Sequence, residues 1–177
     1  MSQTSDVRLS LIPRPANLEI RQGAFALTDK TSLITDGSKE NGAALGFCAR
    51  VLRRSLEPAL GFALRDAPRG TATQANAIQL IVDESGRSAG REGYELEVGR
   101  QRIFVRGGGP AGALYGVQTL TQLLPEALCM GSPPPAGGWR IPCLRVVDRP
   151  RYRWRGFMMD SGRCFMTVDF LKRYLDL

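Results

Sequence analysis

The stretch Tyr94-Glu95-Leu96-Glu97-Val98-Gly99-Arg100-Gln101-Arg102-Ile103-Phe104-Val105-Arg106 decides the fold. Its first run alternates apolar with acidic residues, so a strand here buries one face and wets the other. Gly99-Arg100-Gln101 is short enough to join the two runs as an antiparallel hairpin. The chain then changes period. Over 110–124, Leu114, Val117, Leu120 and Leu124 fall on one face of a helix, which Pro110 starts well and Pro125 stops. Small Ala113 and Gly116 let this helix lie close on a sheet.

Upstream, Ile78-Gln79-Leu80-Ile81-Val82 reads as a third strand, preceded by a polar loop over 65–75. A second helix is expected over 39–56, because Leu45, Ala49, Leu52 and Leu56 recur at steps of four, three and four. Pro58 and Gly61 are expected to end it. Ser32-Leu33-Ile34-Thr35 is a short strand, and Asn17-Leu18-Glu19-Ile20 with Phe25-Ala26-Leu27 reads as a hairpin turning at Arg21-Gln22-Gly23. Downstream, a loose Pro- and Gly-rich connection over 131–138 leads to a strand over 141–147. The fold class is therefore α+β: residues 1–148 form an antiparallel-rich sheet of about six strands covered by two helices.

Residues 149–177 read differently. Phe157-Met158-Met159 is an apolar strand that ends in the polar loop Asp160-Ser161-Gly162-Arg163-Cys164-Phe165, and 167–177 is an amphipathic helix. One such β/α unit cannot cover its own apolar faces. It reads as the opening of a second domain, cut short.

Composition excludes several chemistries. The chain of 177 residues is 43% hydrophobic, enough for a packed core, yet it contains no His. A Ser-His-Asp or Cys-His arrangement and any imidazole general base are therefore ruled out within it. Cys48, Cys129, Cys143 and Cys164 are scattered, with no C-x-x-C pair, so they read as small buried or half-buried hydrophobes and no metal or cofactor is expected. No apolar run approaches the roughly 18 residues of a membrane span, and the N-terminus does not read as a secretion signal. The expectation is a cytoplasmic chain with no membrane partner. The net charge of +7 comes mostly from dispersed Arg and names no partner.

Three constellations could carry function. Gly107-Gly108-Gly109-Pro110-Ala111-Gly112 satisfies G-x-G-x-x-G between a strand and a helix. Its strand belongs to a tight hairpin, and no acidic residue ends a following strand roughly 20 residues on, so these glycines read as a device for close helix–sheet approach. Arg151-Tyr152-Arg153-Trp154-Arg155 interleaves cations with aromatics, as single-stranded nucleic-acid grooves do. Five residues make no platform, so a charged joint is the better reading and no nucleic acid is expected. Asp160 and Arg163 are the sharpest pair. Strand C-terminal ends carry the chemistry in β/α architectures, and an arginine there can fork onto sugar hydroxyls or a carboxylate. On spacing alone, a ligand role and a structural Asp–Arg tie stand equal.

Several runs resemble one family in its own order: Leu11-Ile12-Pro13-Arg14-Pro15, Gly93-Tyr94-Glu95-Leu96, Gly112-Ala113-Leu114-Tyr115-Gly116-Val117-Gln118-Thr119-Leu120-Thr121-Gln122-Leu123-Leu124-Pro125, Trp139-Arg140-Ile141-Pro142, and Asp148-Arg149-Pro150-Arg151-Tyr152-Arg153-Trp154-Arg155-Gly156. Together they resemble the retaining β-N-acetylhexosaminidases, the family-20 glycoside hydrolases. The resemblance implies a non-catalytic, zincin-like accessory domain without metal, joined to a (β/α)8 TIM barrel whose first strand holds Met158 to Arg163. It implies that Arg163 grips hydroxyls of a terminal N-acetylglucosamine or N-acetylgalactosamine, with Asp160 beside it. The family usually follows that arginine with His-Phe, where this chain has Cys164-Phe165. The implied mechanism is substrate-assisted: the sugar's acetamido oxygen attacks, one Asp orients it, and a Glu is the general acid. That acidic pair belongs to a later barrel strand, and a barrel needs on the order of 250 residues. No catalytic residue is therefore expected in this chain, which should bind N-acetylhexosaminides only with the full barrel. A stand-alone interaction module that associates through its exposed strand is the rival.

Overall fold

The computed structural model describes residues 9–67, 75–83, 90–133 and 135–175. Its order is β1 (Asn17–Leu27), β2 (Ser32–Asp36), α1 (Gly42–Leu60), β3 (Arg65–Asp66), β4 (Ala77–Val82), β5 (Tyr94–Val98), β6 (Arg102–Gly107), α2 (Pro110–Gln122), α3 (Glu126–Cys129), β7 (Trp139–Asp148) and α4 (Val168–Leu175). The strands make one seven-stranded sheet in the order β1-β7-β5-β6-β4-β2-β3. The β5–β6 hairpin forms as the sequence predicts, with Leu96 opposite Val105.

The helices cover one face of the sheet. Leu45, Leu52 and Leu56 of α1, Val117 and Leu120 of α2, and Leu80, Leu96, Ile103, Val105, Leu144 and Val146 of the sheet are all fully buried. The opposite face alternates with it and is open to water at the β1 and β7 side, whereas Gln79 of β4 and Ile34 of β2 are buried there too. Glu19, Arg145, Glu97, Phe104, Gln79 and Ile34 form one transverse row across five pairings. Ion pairs lace this face: Arg21 to Glu97 at 2.9 Å, Arg145 to Glu95 at 2.6 Å and Arg106 to Glu97 at 3.5 Å. Both signs alternate there, so it offers no anionic or cationic platform.

The sheet differs from expectation in three ways. Three of its six pairings are parallel, namely β2–β3, β2–β4 and β4–β6, so it is mixed rather than antiparallel-rich. A chain that crosses over through a helix such as α1 returns to its sheet in the same direction, and the apolar run of β4 looks alike in either orientation. The hairpin expected at Arg21-Gln22-Gly23 is instead one strand, β1. Both its halves pair with the long β7, and the register shifts between Ile20 and Ala24. Gly23 takes φ +108° there. A glycine between two apolar runs serves a bulge as well as a turn, and the continuous ladder with β7 decides for the bulge. Finally, β3 occupies part of the expected polar loop, most of which lies outside the described residues.

Helix α1 runs past Pro58 to Leu60 and ends where Gly61, at φ +73°, donates its N–H to the Glu57 carbonyl. Proline in the last turn forfeits one hydrogen bond, and burial of Leu60 keeps the helix going. The short α3 was not expected; it seats Leu128 in the core. The strand predicted over 157–159 does not form. A strand exists only through hydrogen bonds to a neighbour, and none lies alongside among the described residues. No helix among those residues is long and apolar enough to cross a membrane.

Candidate functional site

The segment after β7 leaves the sheet at a polar knot. Asp148 accepts the Ala16 N–H at 3.1 Å through one carboxylate oxygen and the Tyr94 hydroxyl at 3.5 Å through the other. Tyr94 shares a 2.6 Å hydrogen bond with Thr119 of α2. Burial pushes the Tyr94 phenol up to about 12, with the Thr119 bond opposing that rise and the Asp148 charge adding to it. A folded-state value above the unfolded one stabilises fully below the unfolded value and is lost as pH rises through the folded one. Stability is therefore expected to fall between about pH 10 and pH 12, with a smaller fall in Tyr94→Phe. Urea unfolding across that window checks it.

From this knot the chain crosses one side of a cleft of about 1270 Å³. Its walls are the 11–16 arm, the outer face of α2 with Tyr115, Gln118 and Gln122, and residues 148–155. Gln122 holds the arm by accepting the Ile12 N–H at 2.8 Å and donating to the Ile12 carbonyl at 3.0 Å. The charges around the cleft are Arg14, Arg91, Arg149, Arg151, Arg153 and Arg155 against Glu92 and Asp148. Arg155 is held at both terminal nitrogens. Arg155 forks onto Glu92 at 2.7 and 3.3 Å, donates to the Tyr115 hydroxyl at 3.1 Å, and also reaches the Tyr152 carbonyl. The hydrogen bonds from Arg155 hold the Glu92 carboxyl below its usual range.

Asp160 and Arg163 are brought together. One Asp160 oxygen accepts the backbone N–H of Gly162 at 3.0 Å and of Arg163 at 3.1 Å, shaping the loop. The other meets Arg163 Nε at 3.2 Å, while the Arg163 side chain stays 90% exposed. Asp160 thus aims a guanidinium whose fork faces solvent. Around it the apolar side chains are bare: Met158, Phe165 and Leu175 are each more than 80% exposed. Phe157, 70% exposed, meets Tyr174 of α4 ring to ring at 4.9 Å. Thr167 caps α4 by accepting the Phe170 N–H at 3.2 Å.

The glycine-rich turn is closed by protein. Gly108 donates its N–H to the Gly93 carbonyl at 2.9 Å, and a Cβ on Gly112 would sit 2.1 Å from that same oxygen. The 91–93 turn thus packs against the start of α2. Of the cysteines, Cys48 and Cys143 are buried and burial raises both thiols, whereas Cys164 is exposed, against the expectation of burial. It sits on the loop beside Arg163, where no core reaches it. Among the described residues no three His, Cys, Asp or Glu side chains gather as a metal site would require. The Arg155–Glu92–Tyr115 cluster escaped sequence reasoning, because nothing in the spacing of Glu92 links it to residues so far along the chain.

Comparison with known proteins follows the same geography. The profile of glycosyl hydrolase family 20, domain 2, matches residues 8–149. A β-N-acetylhexosaminidase of Cellulomonas fimi is 34% identical over 96% of the chain, which covers 32% of that protein. A β-hexosaminidase of Porphyromonas gingivalis is 31% identical over 97% of the chain, covering 21% of its length. Among solved structures, a family-20 β-N-acetylhexosaminidase from Streptomyces coelicolor superposes with a TM-score of 0.76 at 33% identity, over 92% of this chain and 31% of that one. A mutant Streptomyces plicatus β-hexosaminidase in complex with its product GlcNAc gives a TM-score of 0.76 at 31% identity, over 96% of this chain and 33% of that one. The chain spans about a fifth to a third of the length of these relatives.

Proposed function

The chain belongs to glycosyl hydrolase family 20, and we propose that it supplies the N-terminal part of a retaining β-N-acetylhexosaminidase acting on terminal N-acetylglucosamine or N-acetylgalactosamine. In this reading residues 1–148 are the accessory domain, zincin-like in shape, and residues 149–177 open a TIM barrel. Phe157-Met158-Met159 becomes the first barrel strand once neighbouring strands pair with it, and α4 the first barrel helix. Arg163 then grips hydroxyls of the non-reducing sugar, with Asp160 fixing its guanidinium.

One contrast carries the proposal. The core closes within the region up to β7, whereas the following segment leaves Phe157, Met158, Phe165 and Leu175 exposed to water. Fully burying one such side chain is worth about 1.5–3 kcal/mol, so a segment this apolar is suited to a protein neighbour. Similarity to the hexosaminidases continues through it, to 96–97% of the chain.

The reaction needs an acidic pair that holds the acetamido group and protonates the leaving oxygen. Beside Arg163 the one carboxylate described as a partner is Asp160, already committed to the loop. The 177-residue chain by itself is therefore expected to release no nitrophenol from a nitrophenyl N-acetylglucosaminide. Release above the blank that scales with the purified chain, and is lost in an Asp160→Asn variant, would overturn this.

A further inference from the structure

The sugar-binding reading gives no task to Arg155, yet this side chain is where three separate parts of the chain meet. Glu92 comes from the 90–93 turn, Tyr115 from α2, and Tyr152 from the joint itself. The two carboxylate oxygens of Glu92 face the two terminal nitrogens of Arg155 at 2.7 and 3.3 Å, a paired arrangement that fixes orientation as well as distance. A lysine cannot reproduce that planar fork.

Both keepers are rigidly mounted. The turn bearing Glu92 is closed by the Gly93 N–H on the Gly90 carbonyl at 2.9 Å and tied to the glycine corner by the Gly108 N–H on the Gly93 carbonyl at 2.9 Å. Tyr115 sits on α2 between Ala113, Gly116 and Val117, all buried against the sheet. The glycine run that imitates a phosphate loop thus seats the wall that receives Arg155. Gly156 follows at once, and then the loop of Asp160 and Arg163. Among the described residues, the side-chain hydrogen bonds that tie the segment from 149 onward to the first domain are those of Arg155, with Asp148 anchored just before it.

We propose that Arg155 is a positioning residue that latches the segment carrying Asp160 and Arg163 onto the first domain, with Glu92 and Tyr115 as its receiver. The latch itself is local; only its consequence for sugar binding rests on the function proposed above. It sets the direction in which the chain leaves the first domain, and so where Arg163 stands relative to α2.

Backbone ¹⁵N relaxation on the 177-residue chain tests it. Order parameters of residues 153–157 are expected near the rigid-backbone value of about 0.85 in the wild type and below about 0.6 in Arg155→Gln and in Glu92→Gln. Those of β5 and β6 stay unchanged in both variants. The double exchange Glu92→Arg with Arg155→Glu restores order at 153–157, a rescue that a general structural role would not give. Unchanged order in both single variants, or loss of order spread equally over β5 and β6, overturns the latch. Failure of the sugar reading looks different. In a polypeptide continuing into the complete barrel, Arg163→Lys would leave hydrolysis unaltered while the relaxation pattern still followed Arg155 and Glu92.

Discussion

Gly112→Ala is expected to destabilise the first domain by about 2–6 kcal/mol in urea unfolding, the sum of an overpacking cost of about 1–3 kcal/mol and a disturbed hydrogen bond of similar size. The added Cβ would lie 2.1 Å from the Gly93 carbonyl oxygen and 3.0 Å from its carbon. These are backbone atoms that cannot swing aside. Gly93 is held at its N–H by Gly90 and at its carbonyl by Gly108, so relief requires α2 to lift off the sheet or the 90–93 turn to open. Gly116→Ala should also destabilise, because its Cβ would meet the buried side chains of Val105 at 2.5 Å and Tyr94 at 3.2 Å, neither of them a flexible chain end. Gly42→Ala, at the first residue of α1, is the control: nothing lies within 4 Å of its Cβ position, so no packing cost is expected. A loss below about 1 kcal/mol for Gly112→Ala would mean that α2 is not seated on this turn.

Arg163→Ala, in a polypeptide that continues into the complete barrel, is expected to lower kcat/KM for an N-acetylglucosaminide by on the order of 10²–10⁴, since two hydrogen bonds from a charged donor are worth about 1.5–3 kcal/mol each. Folding stability should change by less than about 1 kcal/mol, because the Asp160–Arg163 pair is solvent-exposed. Asp160→Asn should cost less activity, on the order of ten-fold, about the loss of one charge-assisted contact. The amide can still accept the two backbone N–H groups but no longer holds the guanidinium by charge. Steady-state kinetics beside thermal unfolding separate the cases. An Arg163→Ala enzyme with unaltered kcat/KM would remove this residue from the sugar site.

Periodicity located most elements, since burial imposes it directly. Leu45, Leu52 and Leu56 face the core as their spacing requires, and Tyr94 to Val98 alternates in the structure as it does in the sequence. Legibility ended where one local pattern serves two geometries. Arg21-Gln22-Gly23 suits a turn and a bulge equally, and only the length of β7 beside it selects the bulge. Phe157-Met158-Met159 has the composition of a strand, but among the described residues no strand lies beside it to complete it. Of the candidate site, the Asp160–Arg163 pair was readable because its members are near neighbours in sequence. The Glu92–Tyr115–Arg155 cluster was not.

By itself the sequence determined the identity and core face of the main elements, the lack of any His within these 177 residues, and the family through its two longest motif runs. These are properties of short windows, where side-chain period and residue type act locally. Only the tertiary structure decided that those two runs touch, through Tyr115 of the first and Arg155 of the second at 3.1 Å. It also decided that half the strand pairings are parallel and that the glycine corner is filled by the chain's own carbonyl oxygens. Each of these joins residues far apart in the chain, and such contacts are fixed by how whole layers pack.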